Sequence, residues 1–219
     1  MGFTGWPASA LAFYEGLEAT NTREYWQARK AEWEADVKAP FVALSEAVEA
    51  EFGPLHLFRP HRDVRFSKDK SPYKTHAGAV TESDDGSVFY VQLSAAGLLL
   101  ATGYYQMASD QLERYRAAIA DERAGPGAEA VCAELVEAGY ELGGQALKVA
   151  PRGYPRDHPR AALLRHKGLY VSRQHRPARW LATAKALDRV VDAWRGAEPL
   201  NRWLADHVGP SRLPPPELS

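Results

Sequence analysis

The 219-residue sequence predicts an α+β fold: a central antiparallel sheet of three to six strands, flanked by N- and C-terminal helices. Three observations carry that expectation. Apolar residues in the first fifty positions recur at helical spacing. Between residues 77 and 104 the period drops to two, with turn residues separating the runs. Beyond residue 109 the helical period returns, broken by short strand-like pieces. One apolar set in this order makes residues 1–210 a single α+β domain, followed by a mobile tail, 211–219, that holds Pro214-Pro215-Pro216.

The N-terminal helices come first. Leu11, Phe13, Tyr14 and Leu17 form one apolar stripe. Asn21 followed by Glu24 has the form of a capping box, which starts a second helix near Thr22 with Tyr25, Trp26, Trp33 and Val37 on its apolar face. Pro40 suits the first turn of a third helix, and Gly53-Pro54 ends it. Val64 and Phe66 then alternate with Asp63, Arg65 and Ser67 as in a half-buried strand. Ala77–Thr81, Val88–Leu93 and Leu98–Tyr104 read as a meander with turns at Asp84-Asp85-Gly86 and Ala96-Gly97. Ser109 can cap a helix through Leu112, Tyr115 and Ile119, and Gly125-Pro126-Gly127 separates it from the next. Leu142–Gln145 reads as a turn, Leu147–Val149 and Leu169–Ser172 as short strands, and Pro159 as the opening of a brief helix. Helices bearing Trp180 to Trp194 and Leu200 to Leu204 close the chain.

Composition narrows the function classes. A hydrophobic share of 45% can fill a core, and no apolar run reaches the length of a membrane span. The N-terminus lacks the basic start and apolar stretch of a secretory signal, and the single Cys132 excludes an internal disulfide. Both features predict a cytoplasmic protein. A net charge of −1 hides two basic segments, residues 59–74 and 152–167, each carrying +4. Whole-chain acidity disfavours nucleic acid as a partner, because coating a polyanion calls for a basic domain. Two local clusters fit a smaller anion.

The stretch from Arg62 to Lys74 concentrates this chemistry. Arg65 beside Asp63 and Ser67 presents a planar donor fork able to grip phosphate or carboxylate with two hydrogen bonds. Lys68 and Lys70 bracket Asp69 and add mobile charge, and Pro72 stiffens the return to Tyr73 and Lys74. A lattice of exposed Arg–Asp and Lys–Asp pairs is the structural alternative, worth only about 0–1 kcal/mol per pair. In the second segment, Asp157 or His158 caps the helix that Pro159 opens. Arg152, Arg156 and His158 would then close an anion site from the other side; Tyr104 and Tyr105 end the last strand where a ligand could stack, with core or edge packing the more usual role for such residues. His61 and Asp63 form a metal-like pair without a third ligand at a telling spacing, so no metal is expected. Cys132 reads as a buried structural thiol. Nucleotide loops and the strained serine elbow of hydrolases are absent from the sequence. The ligand set is therefore Arg62, Asp63, Arg65, Ser67, Lys68, Asp69, Lys70, Tyr73, Lys74, Tyr104, Arg152 and His158, with no cofactor and no oligomeric state assigned.

The Arg62–Lys74 run resembles the Arg-Asp-x-Arg-Phe-Ser-Lys-Asp-Lys-x-Pro-Tyr-Lys core of a bacterial and fungal group, the domain-of-unknown-function family 2461. Asn21 to Trp26, Gly97 to Tyr105 and the Pro151-Arg152-Gly153 with Asp157-His158-Pro159 pattern are similar to the family as well. The resemblance spans about residues 3–207 and implies no established activity. Three functions remain: binding of a phosphate- or carboxylate-bearing small ligand, an enzyme acting on a phosphorylated metabolite or nucleotide with Asp63 or Asp69 as base, and docking on an acidic protein or RNA.

Overall fold

A computed structural model describes residues 2–63, 65, 68–82 and 86–213. Its architecture is α+β, with a six-stranded antiparallel sheet in the order β1-β2-β3-β4-β6-β5. The elements follow in chain order. Helix α1 is Ala8–Ala19 and α2 is Arg23–Glu32; a π-helical turn, Trp33–Lys38, continues directly into α3, Ala39–Phe52. Then come β1 (His56–Leu57), β2 (His76–Glu82), β3 (Val88–Ser94) and β4 (Gly97–Tyr104). Helices α4 (Ser109–Ala120) and α5 (Gly125–Glu137) precede β5 (Glu141–Gly143), α6 (Ala161–Leu164) and β6 (Leu169–His175). A 3₁₀ turn, Arg179–Ala182, leads to α7 (Lys185–Gly196) and α8 (Glu198–His207).

The chain forms two compact units. One holds the chain up to Thr81 with Tyr90–Leu100 and Gln174–Ala193; the other holds Glu82–Phe89, Ala101–Arg173 and the chain from Trp194 onward. The core of the first is aromatic. Trp6, Phe13, Tyr14, Trp26 and Phe41 are buried, and the Trp33 indole donates to the Tyr14 hydroxyl at 3.2 Å. On its strands the period of two divides the faces. Ala77, Ala79, Thr81, Val91, Leu93, Leu98 and Leu100 are buried, while His76, Val80, Tyr90, Gln92 and Leu99 line a half-buried opposite face. The β3–β4 turn needs Gly97: its φ is +103°, and a Cβ there would lie 2.2 Å from the His175 carbonyl.

The second unit packs Tyr104, Tyr115, Ile119, Cys132, Leu164, Leu169, Leu200 and Leu204 into one cluster. Arg160 is buried within this unit at 5% exposure. Its guanidinium donates to the carbonyls of Ile119, Ala120 and Asp121 at 2.6, 3.2 and 3.3 Å, closing the C-terminus of α4, and to Glu122 at 2.9 Å. Gly125 is required beneath it, because a Cβ would stand 2.4 Å from the Arg160 Nε.

Several sequence expectations change. Thr22 caps α2 by accepting from the Tyr25 amide, so Asn21 has another use. Ser109 is the first helical residue of α4, behind Ala108, not its cap. Gly125-Pro126-Gly127 lies inside the first turn of α5, where a proline's missing amide hydrogen costs nothing. Residues 141–143 pair with β6 as β5 where a turn was expected, and 147–149 form no strand; only Ala146 bridges to His166. The expected strand residues Val64 and Phe66, the turn residues Asp84 and Asp85, and the tail prolines lie outside the described residues.

Candidate functional site

The basic segment is anchored on both flanks of its loop. β1 pairs antiparallel with β2, His56 opposite Val80 and Leu57 opposite Ala79, and the Phe58 amide continues the ladder to the Gly78 carbonyl. The chain then narrows to one bridge, His61 opposite Tyr73. The Arg62 amide donates to the Pro72 carbonyl at 2.9 Å, and the Lys74 amide donates to the Pro60 carbonyl at 2.8 Å. His61 and Tyr73 thereby form a non-hydrogen-bonded pair, so the amide and carbonyl of Tyr73 itself point away from the partner strand. Asn21 meets both: its Nδ2 donates to the Tyr73 carbonyl at 2.9 Å, and its Oδ1 accepts from the Tyr73 amide at 3.1 Å. One carboxamide thus stands in for the edge of another strand. The Tyr73 ring, 3% exposed, stacks on Trp26 with centroids 4.5 Å apart and planes 10° from parallel.

These fixtures present the charges. Arg62 is half-buried and pairs with Asp69, whose other oxygen accepts from the Ser71 amide at 2.9 Å; that backbone bond is the main cause holding the Asp69 carboxyl below its ordinary value. Arg65, its side chain 76% exposed, grips Asp63 through Nε and Nη2, and this hydrogen bonding holds the Asp63 carboxyl down to about 2. Lys68 and Lys70 are exposed. Lys74 differs from all of these. Among the described residues no carboxylate forms an ion pair with it. Burial first, then the charges of Arg59 and Arg62, hold its pKa below the usual lysine value, and its ammonium lies 5.2 Å from the centre of the Phe58 ring. His76, at the start of β2, feels Lys74 and Arg62 in turn. Positive charge therefore gathers at the mouth of the loop, where Lys74 feels Arg59 and Arg62, while Asp63 neutralises the exposed Arg65 fork.

The other sequence candidates divide plainly. Ser67 lies outside the described residues. Tyr73 is occupied by Trp26 and Asn21. Tyr104 belongs to the second unit and is a core residue at 2% exposure: its even place on β4 shares the buried face with Thr102, and the exposed phenol is its neighbour Tyr105, packed beside Tyr170. Arg152 and His158 also belong to the second unit. Arg152 is exposed, and the His158 Nδ1 accepts from the Arg160 amide at 3.0 Å. The helix after Pro159 has only four residues, with Arg160 at its cap position, so neither Asp157 nor His158 caps it. Arg59, His76 and the tie made by Asn21 were missed as site features. No alternation links His76 to Lys74, because the chain bends at Thr75 before β2 begins.

Among the described residues, no group of three His, Cys, Asp or Glu side chains gathers to hold a metal ion, and no helix is long and apolar enough to cross a membrane. His61 of the metal-like pair turns its ring to Tyr73 at 5.1 Å. The family model of the conserved hypothetical proteins DUF2461 matches residues 9–203. No curated protein and no solved structure matches the chain. The match covers most of the sequence, and the protein belongs to the DUF2461 family.

Proposed function

On the premise of that membership, we propose that this DUF2461 protein binds a small ligand through a phosphate or carboxylate group held by Arg59, Arg62 and Lys74. One observation carries the reading: Lys74 is partly desolvated beside two guanidinium groups, with no carboxylate of its own among the described residues. Such a group costs stability when the site is empty and recovers it when an anion arrives. The paired aspartates support binding over acid–base chemistry. A carboxylate held near 2 by an arginine is a poor general base at neutral pH, where catalysis favours a pKa close to the working pH. The buried thiol of Cys132 fits a reducing, cytoplasmic setting.

Thermal-shift measurements at matched ionic strength, across phosphate- and carboxylate-bearing metabolites, test the reading. A ligand at about 100 times its Kd stabilises by about 2.7 kcal/mol. For a chain of this size that is a rise in Tm of roughly 5–11 °C. The same ligand should leave Lys74→Met unmoved. A full shift in Lys74→Met, or none with any anion at millimolar concentration, defeats the assignment. Turnover of a stabilising ligand would make the site catalytic.

A further inference from the structure

We infer that the groove lined by α4, α5 and α8 binds a flat aromatic acid of single negative charge, and that Arg123 takes its carboxylate. The site lies wholly within the second unit and goes beyond the anion-binding reading of the basic loop.

The groove is open, with a volume of about 640 Å³. Small-molecule sites occupy about 300–1,000 Å³. Ala117 and Ala118 of α4 line it, as do Ala124 and Gly127 at the start of α5. None of these carries a side chain beyond Cβ, so a thin rigid body can lie close to the helix backbones. A Cβ built on Gly127 would meet only the Trp203 indole, at 3.8 Å. From α8 come two rings. The Trp203 indole is fixed by donating to the Ala124 carbonyl at 3.1 Å. His207 is exposed, its ring centre 4.9 Å from that of Trp203 and the planes 45° apart. Its ring nitrogens make no hydrogen bond among the described residues. Methyl groups and ring edges of this kind favour an aromatic ligand over an open-chain one.

Besides His207, the charged residues of the groove are Arg114, Asp121 and Arg123. Arg114 is fully committed. It pairs with Asp110 at 3.0 Å and donates to the carbonyls of Val208 and Pro210. Asp121 is committed too. Its Oδ1 accepts from the amides of Arg123 and Ala124, both at 2.8 Å. Those two bonds, then the charges of Arg123 and Arg160, hold its carboxyl below the ordinary value. The Arg123 guanidinium is left over. It is exposed, and among the described residues no carboxylate forms an ion pair with it and no ring or carbonyl engages it. Its backbone is held by the bond to Asp121, so the side chain starts from a fixed turn. Two arginines against one aspartate give the lining an excess of one positive charge, which a monoanion matches. The planar guanidinium grips a carboxylate through two parallel hydrogen bonds. In water an exposed pair of that kind is weak by itself, so recognition requires the ring and the charge together.

Three probes separate these parts: 2-naphthoate has ring and charge, 2-naphthylmethanol the ring alone, and acetate the charge alone. Proton–nitrogen NMR titration of the full chain should show 2-naphthoate moving the Trp203 indole N–H and the Gly127 amide, with a Kd of about 1 mM, the ordinary efficiency for a ligand of this size. 2-Naphthylmethanol should bind about ten-fold more weakly, and acetate should leave both signals in place. Arg123→Ala should lower naphthoate affinity about ten-fold, to the level of the uncharged ring. Gly127→Leu should abolish binding of both ring probes by filling the groove, and should melt no lower than wild type, because leucine is the better helix former. Lys74→Met should leave naphthoate binding unchanged. Undiminished binding in Arg123→Ala or in Gly127→Leu, or no movement of the two signals at 10 mM naphthoate, overturns the inference. Loss of naphthoate binding in Lys74→Met overturns it as well and places the acid at the basic loop.

Discussion

Replacing Asn21 by alanine is the sharpest test of how the basic strand is held. The carboxamide makes two hydrogen bonds, at 2.9 and 3.1 Å, to the carbonyl and amide of one residue, Tyr73, 52 positions away. Each is worth about 1 kcal/mol net, and a buried group left without a partner costs about 1–3 kcal/mol. If water reaches the vacated edge, Asn21→Ala loses about 2 kcal/mol; if the Trp26–Tyr73 stack keeps water out, the loss rises to about 4 kcal/mol. For a chain of this length that is a fall in Tm of roughly 4–16 °C. Urea unfolding followed by tryptophan fluorescence reads it directly: the midpoint should drop with an unchanged slope, since the buried area is the same. Asn21→Asp keeps the acceptor for the Tyr73 amide but sets a carboxylate oxygen against the Tyr73 carbonyl, so it should be no more stable than alanine. Anion-induced stabilisation should weaken in Asn21→Ala as well, because Lys74 follows Tyr73 in the chain. A loss under about 0.5 kcal/mol in Asn21→Ala would show that the edge of Tyr73 is satisfied without the carboxamide, and the account of the anchored strand would fail.

The remaining predictions are brief. Lys74→Met should raise the stability of the ligand-free protein, by about 0.2–1 kcal/mol for each like-charge neighbour relieved, measured by urea unfolding; a loss would mean the ammonium is already neutralised. Arg160→Ala should cost about 3–5 kcal/mol, because it strands buried carbonyls at the end of α4, and a circular-dichroism melt checks it. Asp110 accepts from the Arg212 amide, the Ser211 hydroxyl and Arg114, which hold its pKa below the usual carboxylate range. Its contribution should be complete above about pH 5 and lost as pH falls through the depressed value, so wild type and Asp110→Asn should converge in stability toward pH 2. Burial pushes the Cys132 thiol up to about 11, so Ellman's reagent at pH 8 should label it slowly in the native protein and quickly in urea.

How much of this was legible beforehand depends on how far apart the interacting residues are. Local rules worked where neighbours in the chain decide the outcome. Leu11, Phe13, Tyr14 and Leu17 mark α1 because a 3.6-residue period leaves them one common face, and all four are buried there. Gly53 ends α3 at φ 83°, a backbone state glycine adopts without strain. The period of two located β2, β3 and β4, and the density of arginine and lysine located the basic segment. Partners remote in sequence were out of reach of the same rules. Asn21 looked like a helix cap because an N-cap asparagine and a strand-edge asparagine have the same local surroundings; only the arrival of Tyr73 distinguishes them. β6 lies between β4 and β5 in the sheet, a position no periodicity encodes. Tyr104 and Tyr105 are interchangeable by composition, and strand parity alone put the first in the core and the second outside. The cations followed the same division. Their number was written in the sequence, but which ones are already matched by an aspartate, and which press together at the mouth of the loop, depends on distances between separate strands, and folding sets those distances.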